Sequence, residues 1–146
     1  MIIVSAIKTE IFIRLVVPFF FISFILLALV PVIGVEVKGA KRWIDLYLFR
    51  LQPIEILKPF FILMTVKILT FEKLKNSKIK YFLSFILLGC VIILLIDQPD
   101  LGQSILLIGS WISIVFISGV GLIYLLVFFS IFLISFSSLL FFLPEK

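Results

Sequence analysis

The chain has 146 residues with a mean hydropathy of +1.40, of which 64% are hydrophobic and 14% charged. These values lie outside the range of soluble globular domains and are typical of membrane proteins. His is absent and Cys90 is the single cysteine, which excludes imidazole chemistry, intrachain disulfides and thiolate metal clusters. We identify no metal or cofactor motif. The net charge of +5 fits membrane topology and anionic headgroups better than nucleic acid, because no basic module with interleaved aromatic residues lies outside the apolar runs.

The first apolar segment, residues 15–35, carries no charge and is long enough to cross about 30 Å of hydrocarbon as a helix. Pro18 and Pro31 lie inside it, and each removes a backbone hydrogen bond, so kinks are predicted there. The residues before it lack the pattern of a cleavable signal peptide, and we therefore expect the segment to be retained.

A charged outer loop, residues 36–52, follows this segment. Its lysines, arginines, Trp43 and Tyr47 are typical of the headgroup layer, where an aromatic ring and a polar atom are both accommodated. Gly34 and Gly39 favour a turn. We predict a short amphipathic helix along the membrane surface over residues 43–51.

The second apolar segment, residues 53–69, begins with Pro53, which suits the first position of a helix. Glu55 then falls in the first turn, near the positive end of the helix dipole. On a helix of 3.6 residues per turn, Glu55, Lys58 and Thr65 lie within about 80° of one another. This polar stripe is expected to face protein or water rather than lipid.

The remaining sequence predicts a basic loop and three further spans. Residues 67–80 hold five lysines and one acid, which places this loop in the cytoplasm by the positive-inside rule. Spans are predicted over 81–96, 101–118 and 122–143. The amino terminus is then inside and the carboxyl terminus outside, with seven basic residues on the inner side against five on the outer side. The sequence thus predicts an all-α integral membrane protein, one polytopic segment over 1–146 with about five transmembrane helices.

Arg50, Glu55 and Lys58 form the first polar cluster, and two interpretations of it remain open. In one, Glu55 stabilises the start of a helix and Lys58 reaches the interface with its ammonium group. In the other, the two cations hold an anionic group while the carboxylate orients or deprotonates a second group. Arginine suits a diphosphate because its planar guanidinium donates two parallel hydrogen bonds.

The sequence from Asp97 to Gly102, DQPDLG, forms the second polar cluster. Asp100 is well placed to cap the helix that follows, and Asp97 needs no partner beyond water. In the alternative interpretation, Asp100 faces the cluster at the start of the second segment, because both lie at the same level of the predicted membrane topology.

The stretches KGAKRWIDL, FRLQPIEILK and QPDLGQSILL, in that order, resemble the SEDS family of shape, elongation, division and sporulation proteins, and GQ after the acid leans towards its FtsW type. The resemblance implies a multi-pass protein of the bacterial inner membrane that polymerises peptidoglycan from lipid II beside a class B penicillin-binding protein. It implies that the substrate, an undecaprenyl-diphosphate-linked sugar, is bound by Arg50, Glu55, Lys58 and Asp100. Arg42, Trp43 and Gln52, in the same motifs, form a secondary set.

The sequence departs from the family in two respects. Ile54 replaces a small residue and Tyr47 replaces a common Gly, which predicts a local difference in backbone. The family also has about ten helices, and its best candidate for a catalytic acid lies in an outer loop after the seventh. The chain resembles helices three to seven, so that acid is expected beyond Lys146 and the catalytic residue is unknown. We expect a truncated or split protein that is inactive alone or depends on a second polypeptide for the rest. A non-catalytic divisome scaffold or precursor-binding protein is the alternative, and an unrelated transporter subunit is a third.

Overall fold

The computed structural model describes residues 9–37, 39–47, 49–119 and 130, with the side chains of residues 9–12 excepted. The chain divides into two compact units, residues 1–111 and 112–146, and the polar clusters lie in the first unit. The elements in chain order are the helix α1 (Thr9–Ile33), the strands β1 (Val35–Val37), β2 (Ala40–Asp45) and β3 (Arg50–Leu51), and the helices α2 (Pro53–Leu69), α3 (Ser77–Asp97) and α4 (Leu101–Ile117).

Two of the described helices are long and apolar enough to cross a membrane, over Ile13–Ile33 of α1 and Ser77–Asp97 of α3. The helix α4 is apolar but shorter. The predicted span 101–118 ends at Ile117 in the structure, and the predicted span 81–96 extends in both directions. The predicted span 122–143 lies outside the described residues.

The helix α1 packs on α2 through a stripe of buried side chains that recur every three or four residues, as expected for one face of a helix. On α1 these are Val16, Phe20, Ser23, Leu27 and Val30. The facing stripe on α2 consists of Ile54, Leu57, Phe61 and Thr65. Phe19 and Phe60 stack at the side of this seam with ring centroids 5.2 Å apart.

The outer loop is a small antiparallel sheet in the order β1-β2-β3, so the predicted surface helix over 43–51 is wrong. Gly39 has a φ of +78°, which permits the tight reversal between β1 and β2. Trp43 pairs with Val35, and Asp45 pairs with Arg50 at the far end. Val35, Val37, Trp43 and Ile44 are β-branched or aromatic and meet partners on neighbouring strands, which favours strands over an isolated nine-residue helix.

The helices after the sheet begin with local signals. Pro53 occupies the first turn of α2, where its missing N–H costs no hydrogen bond. The side chain of Asn76 accepts a hydrogen bond from the Lys78 amide at 3.0 Å and caps α3, which therefore starts four residues before the predicted position 81. The indole N–H of Trp111 on α4 donates to Ser84 Oγ on α3 at 3.3 Å.

Candidate functional site

The β2 strand brings Arg42 against the loop between α3 and α4. Its Nε lies 3.1 Å from the carbonyl oxygen of Gln98, and its Nη2 donates to the carbonyl of Pro99. The same Nε is 3.9 Å from Asp100 Oδ2. Arg42 therefore binds the backbone of this loop and faces its acid at the same time, across 58 residues of sequence.

Asp100 lies at the start of α4 and contacts Gln52, the residue before α2, rather than Arg50, Glu55 or Lys58. Its Oδ1 accepts a hydrogen bond from the Gln103 amide at 3.4 Å, and its carbonyl accepts from Ser104 Oγ at 2.9 Å, as expected at the start of a helix. Its Oδ2 accepts from Gln52 Nε2 at 3.2 Å. Asp100 is 8% exposed, so a nearly buried carboxylate links α4 to the residue that precedes α2.

Glu55 and Lys58 form a second charged pair, one turn apart on α2. Lys58 Nζ lies 2.8 Å from both carboxylate oxygens of Glu55. The side chain of Glu55 is 51% exposed and that of Lys58 is 24% exposed. This pair is therefore accessible, whereas Asp100 is not.

Gln103 connects the two acids and was missed as a candidate residue. Its backbone amide donates to Asp100, and its side-chain Nε2 donates to Glu55 Oε1 at 3.0 Å. Its Oε1 is buried and has no hydrogen-bond partner among the described residues. The signal that could have found it is its position three residues after Asp100, which places both groups at the start of one helix. We call the set Arg42, Gln52, Glu55, Lys58, Asp100 and Gln103 the polar mouth.

The two other predicted residues lie on the sheet. Arg50 Nε is 3.6 Å from Asp45 Oδ2, and both side chains are largely exposed. Within the described part of the chain, no hydrogen bond or ion pair joins Arg50 to Glu55 or Lys58. Trp43 is half-buried on β2, next to Arg42 in sequence and opposite Val35. The structure thus brings Arg42, Gln52 and Asp100 together, and Glu55 with Lys58, while Arg50 pairs within the sheet.

The polar mouth presents two cations and two carboxylates, each cation facing one carboxylate. Lys58 provides an ammonium group that is 24% exposed, and Glu55 provides a carboxylate that is 51% exposed. Among the described residues, no group of three His, Cys, Asp or Glu side chains could hold a metal ion. The site is built from one accessible ion pair next to one nearly buried carboxylate.

The opposite end of the same helices has a different character. A cavity of about 170 Å³ lies there with an apolar lining from α1, α2, α3 and the loop after α2. Lys67, at its edge, donates to the carbonyl of Ile13 at 3.2 Å. This cavity shares no lining residue with the polar mouth.

Two described helices are apolar and long enough to span a membrane. Charged side chains gather where the chain leaves α1 and enters α2 and α4. These features define a helical membrane protein with a polar site at one end of its spans. A family model described as "Cell cycle protein", covering FtsW, RodA and SpoVE, matches residues 1–145. The chain belongs to this family, which confirms the resemblance seen in the sequence.

Curated relatives agree with this assignment. The chain is 34% identical over 102 residues to the probable peptidoglycan glycosyltransferase FtsW of Pasteurella multocida, covering 68% of this chain and 26% of that protein. It is 40% identical over 92 residues to the putative peptidoglycan glycosyltransferase FtsW of Cyanophora paradoxa, covering 62% and 23%. The chain thus spans about a quarter of the length of these relatives.

Two solved structures share the fold. A chain from a structure titled "Structural coordination of polymerization and crosslinking by a peptidoglycan synthase complex" has a TM-score of 0.84 and 29% identity, over 99% of this chain and 43% of that one. The rod shape determining protein RodA of Thermus thermophilus has a TM-score of 0.74 and 30% identity, over 91% and 44%.

Proposed function

We propose that this chain provides the part of a peptidoglycan glycosyltransferase that holds the diphosphate of a lipid-linked sugar precursor of the lipid II type. The observation that carries this proposal is the accessible pair of Lys58 and Glu55, held by the Gln103 side-chain amide, which donates to Glu55 Oε1 at 3.0 Å. An ammonium group can bind a phosphate oxygen, and Lys58 is the cation that lies beside the accessible carboxylate of Glu55. The curated relatives are named as peptidoglycan glycosyltransferases, which supports the reaction class of this proposal.

Arg50 and Asp100 have different roles in this proposal, one in phosphate binding and the other in the structure of the site. Arg50 is 59% exposed and bound to one carboxylate, so its guanidinium can turn to a second phosphate oxygen with little loss of protein contacts. Asp100 is nearly buried and engaged by Gln52 and the α4 amide. We assign Asp100 to shaping the polar mouth, with Arg42, Trp43 and Gln52 as its supporting residues.

The proposal includes five spans in the bacterial inner membrane, with the amino terminus in the cytoplasm and the polar mouth on the outer side. The lysines of residues 67–80 support this orientation, since basic loops remain in the cytoplasm. A class B penicillin-binding protein is the proposed partner, supported by the synthase complex whose chain shares this fold.

No residue of this chain is assigned as the catalytic base. The proposed base is an acid in the part of the family that these 146 residues do not span, because Glu55 is paired with Lys58 and Asp100 is nearly buried. We therefore expect the isolated chain to bind lipid II and to form no glycan strands. Robust polymer formation by the purified chain would refute this division of labour.

Lipid II binding to the full chain in nanodiscs tests the site itself. The charge reversal Lys58→Glu is expected to lower affinity at least about tenfold, because it places a second anion beside Glu55 where the diphosphate should bind. Lys73→Glu is the matched control, an exposed lysine in the basic loop at the other end of α2. Equal affinities of the two variants would remove Lys58 from the site. Lipid II binding without polymer formation, even when the remaining helices of a family member are supplied, would favour the alternative of a non-catalytic scaffold.

A further inference from the structure

Pro31 leaves a buried carbonyl of α1 without its helical partner. In a regular helix, the N–H of residue 31 would donate to the carbonyl of Leu27, but proline has no N–H. Leu27 is completely buried, so water cannot replace the missing donor. The side-chain Nε2 of Gln98 donates to this carbonyl at 3.0 Å.

Gln98 is itself fixed on several sides. It is 3% exposed, its backbone N–H donates to Leu95 at the end of α3, and its carbonyl accepts from Arg42 at 3.1 Å. The Asp100 amide donates to the same Leu95 carbonyl at 3.1 Å. The loop that carries Asp100 is therefore bound to α1, α3 and β2 at once.

We infer that Gln98 is a positioning residue that fixes where Asp100 lies along the axis of α1. The contacts of Asp100 within the polar mouth depend on this position. The link runs from the carbonyl freed by Pro31, through the Gln98 amide, to the carboxylate two residues later. Arg42 and Gln52 reach Asp100 only where this loop is held. The expected effect on lipid II binding rests on the proposed function. The hydrogen bond from Gln98 to the Leu27 carbonyl, which we call the tether, is independent of that function.

The pair of Pro31 and Gln98 permits a test that separates stability from positioning. Gln98→Leu replaces the amide with an apolar side chain of similar size and leaves the Leu27 carbonyl without a donor. Pro31→Ala supplies a backbone N–H to that carbonyl. The double variant therefore restores the hydrogen bond within α1 while the loop remains detached from it.

Thermal unfolding and lipid II binding are measured for the parent full chain, both single variants and the double variant in nanodiscs. We expect Gln98→Leu to lower the Tm by roughly 5 °C or more. The double variant should recover to within about 2 °C of Pro31→Ala and still bind lipid II about tenfold more weakly than the parent. Recovery of binding together with the Tm would overturn the positioning role.

Pro18→Ala is the matched control, since Pro18 lies on the same helix and frees the carbonyl of residue 14 instead of residue 27. Combined with Gln98→Leu, it should recover none of the lost Tm. Full recovery by this control would contradict the assigned partner.

Cysteine labelling reports the tether without any substrate. Ser104 is 8% exposed in the first turn of α4, so Ser104→Cys, in a Cys90→Ala background that removes the exposed native thiol, should react slowly with a soluble maleimide. Adding Gln98→Leu, with or without Pro31→Ala, is expected to raise the labelling rate about tenfold as the loop opens. An unchanged labelling rate in the Gln98→Leu variants would overturn the tether. A faster rate in these variants, together with a parent chain that does not bind lipid II, would support the tether and reject the proposed function.

Discussion

The two acids of the polar mouth are held in opposite ways. Glu55 pairs with a lysine three residues away at 2.8 Å and remains 51% exposed. Asp100 faces Arg42 at 3.9 Å, but its side chain is 10% exposed, and further bonds come from Gln52 and the α4 amide. The shorter ion pair is local and accessible, while the longer one is part of a network that joins three elements.

This difference predicts that one acid contributes mainly to folding stability and the other mainly to substrate binding. A short ion pair on one helix contributes little to stability, because water screens it and both side chains must be ordered. A nearly buried carboxylate with several donors is costly to disrupt, because each lost donor leaves a buried polar atom unsatisfied. Stability should therefore depend on the Asp100 network, and substrate binding on the Glu55 pair.

Arg42→Leu should have the largest effect on stability. It removes the donor to two loop carbonyls and the cation facing Asp100, and we expect a loss of about 2 kcal/mol or more in the free energy of unfolding. Reversible unfolding of the full chain in micelles measures this change. Lys41→Leu, at the exposed neighbouring position on β2, is the control and should cost less than about 0.5 kcal/mol. Equal effects would reject the network.

Gln52→Leu should cost about 1 kcal/mol by the same measurement, because Asp100 loses one donor and keeps the others. Combined with Arg42→Leu, the two effects should be clearly non-additive, since both side chains act on one carboxylate oxygen. Strict additivity would mean that the two contacts are independent.

Tyr47→Gly should stabilise the sheet by roughly 0.5 kcal/mol. Tyr47 has a φ of +66°, in the left-handed region that is unfavourable for residues with a Cβ, and glycine relieves this strain at some cost in unfolded-chain entropy. Leu46→Gly, next to it, provides the contrast and should destabilise. A loss of stability in Tyr47→Gly would show that the tyrosine ring compensates for its backbone.

Lys58→Gln should have the smallest effect, changing the free energy of unfolding by less than about 0.5 kcal/mol. The reason is that Glu55 is half exposed, so water screens its ion pair with Lys58. The same substitution should weaken lipid II binding severalfold, because a neutral amide replaces the ammonium group. Isothermal binding and unfolding measurements on one preparation compare the two quantities. A large loss of stability with unchanged binding would reverse the assignment of the two pairs.

The sequence was informative where the structure depends on nearby residues. Pro53 and the acid two residues later predict the start of α2, and the Gly at position 39 predicts the turn of the outer loop. At Tyr47 the sequence predicts a local difference in backbone from a family position that is commonly Gly, but its φ of +66° lies in the region that glycine favours. These features follow from backbone preferences that act over a few residues.

The contacts that assemble the polar mouth could not be predicted, because they join residues far apart in sequence. The bond from Gln98 to Leu27 spans 71 residues and exists because of a proline in another helix. Arg50 was expected beside Glu55, five residues ahead, but antiparallel pairing of β3 with β2 places it opposite Asp45. Apolar spacing over 43–51 does not distinguish a short helix from paired strands, and long-range pairing decides between them.

The cap of α3 has a consequence for the membrane that surrounds this protein. Asn76 starts the helix, and the first turn holds Lys78 and Lys80 and no acid, so two cations lie at the positive end of the helix dipole. Each such charge costs about 0.3–1 kcal/mol unless counter-charge is supplied from outside. Anionic lipids supply it through their surface potential, which salt screens. Winding of the first turn of α3 is therefore coupled to lipid composition and ionic strength, and hydrogen exchange at these amides should slow as the anionic lipid fraction rises.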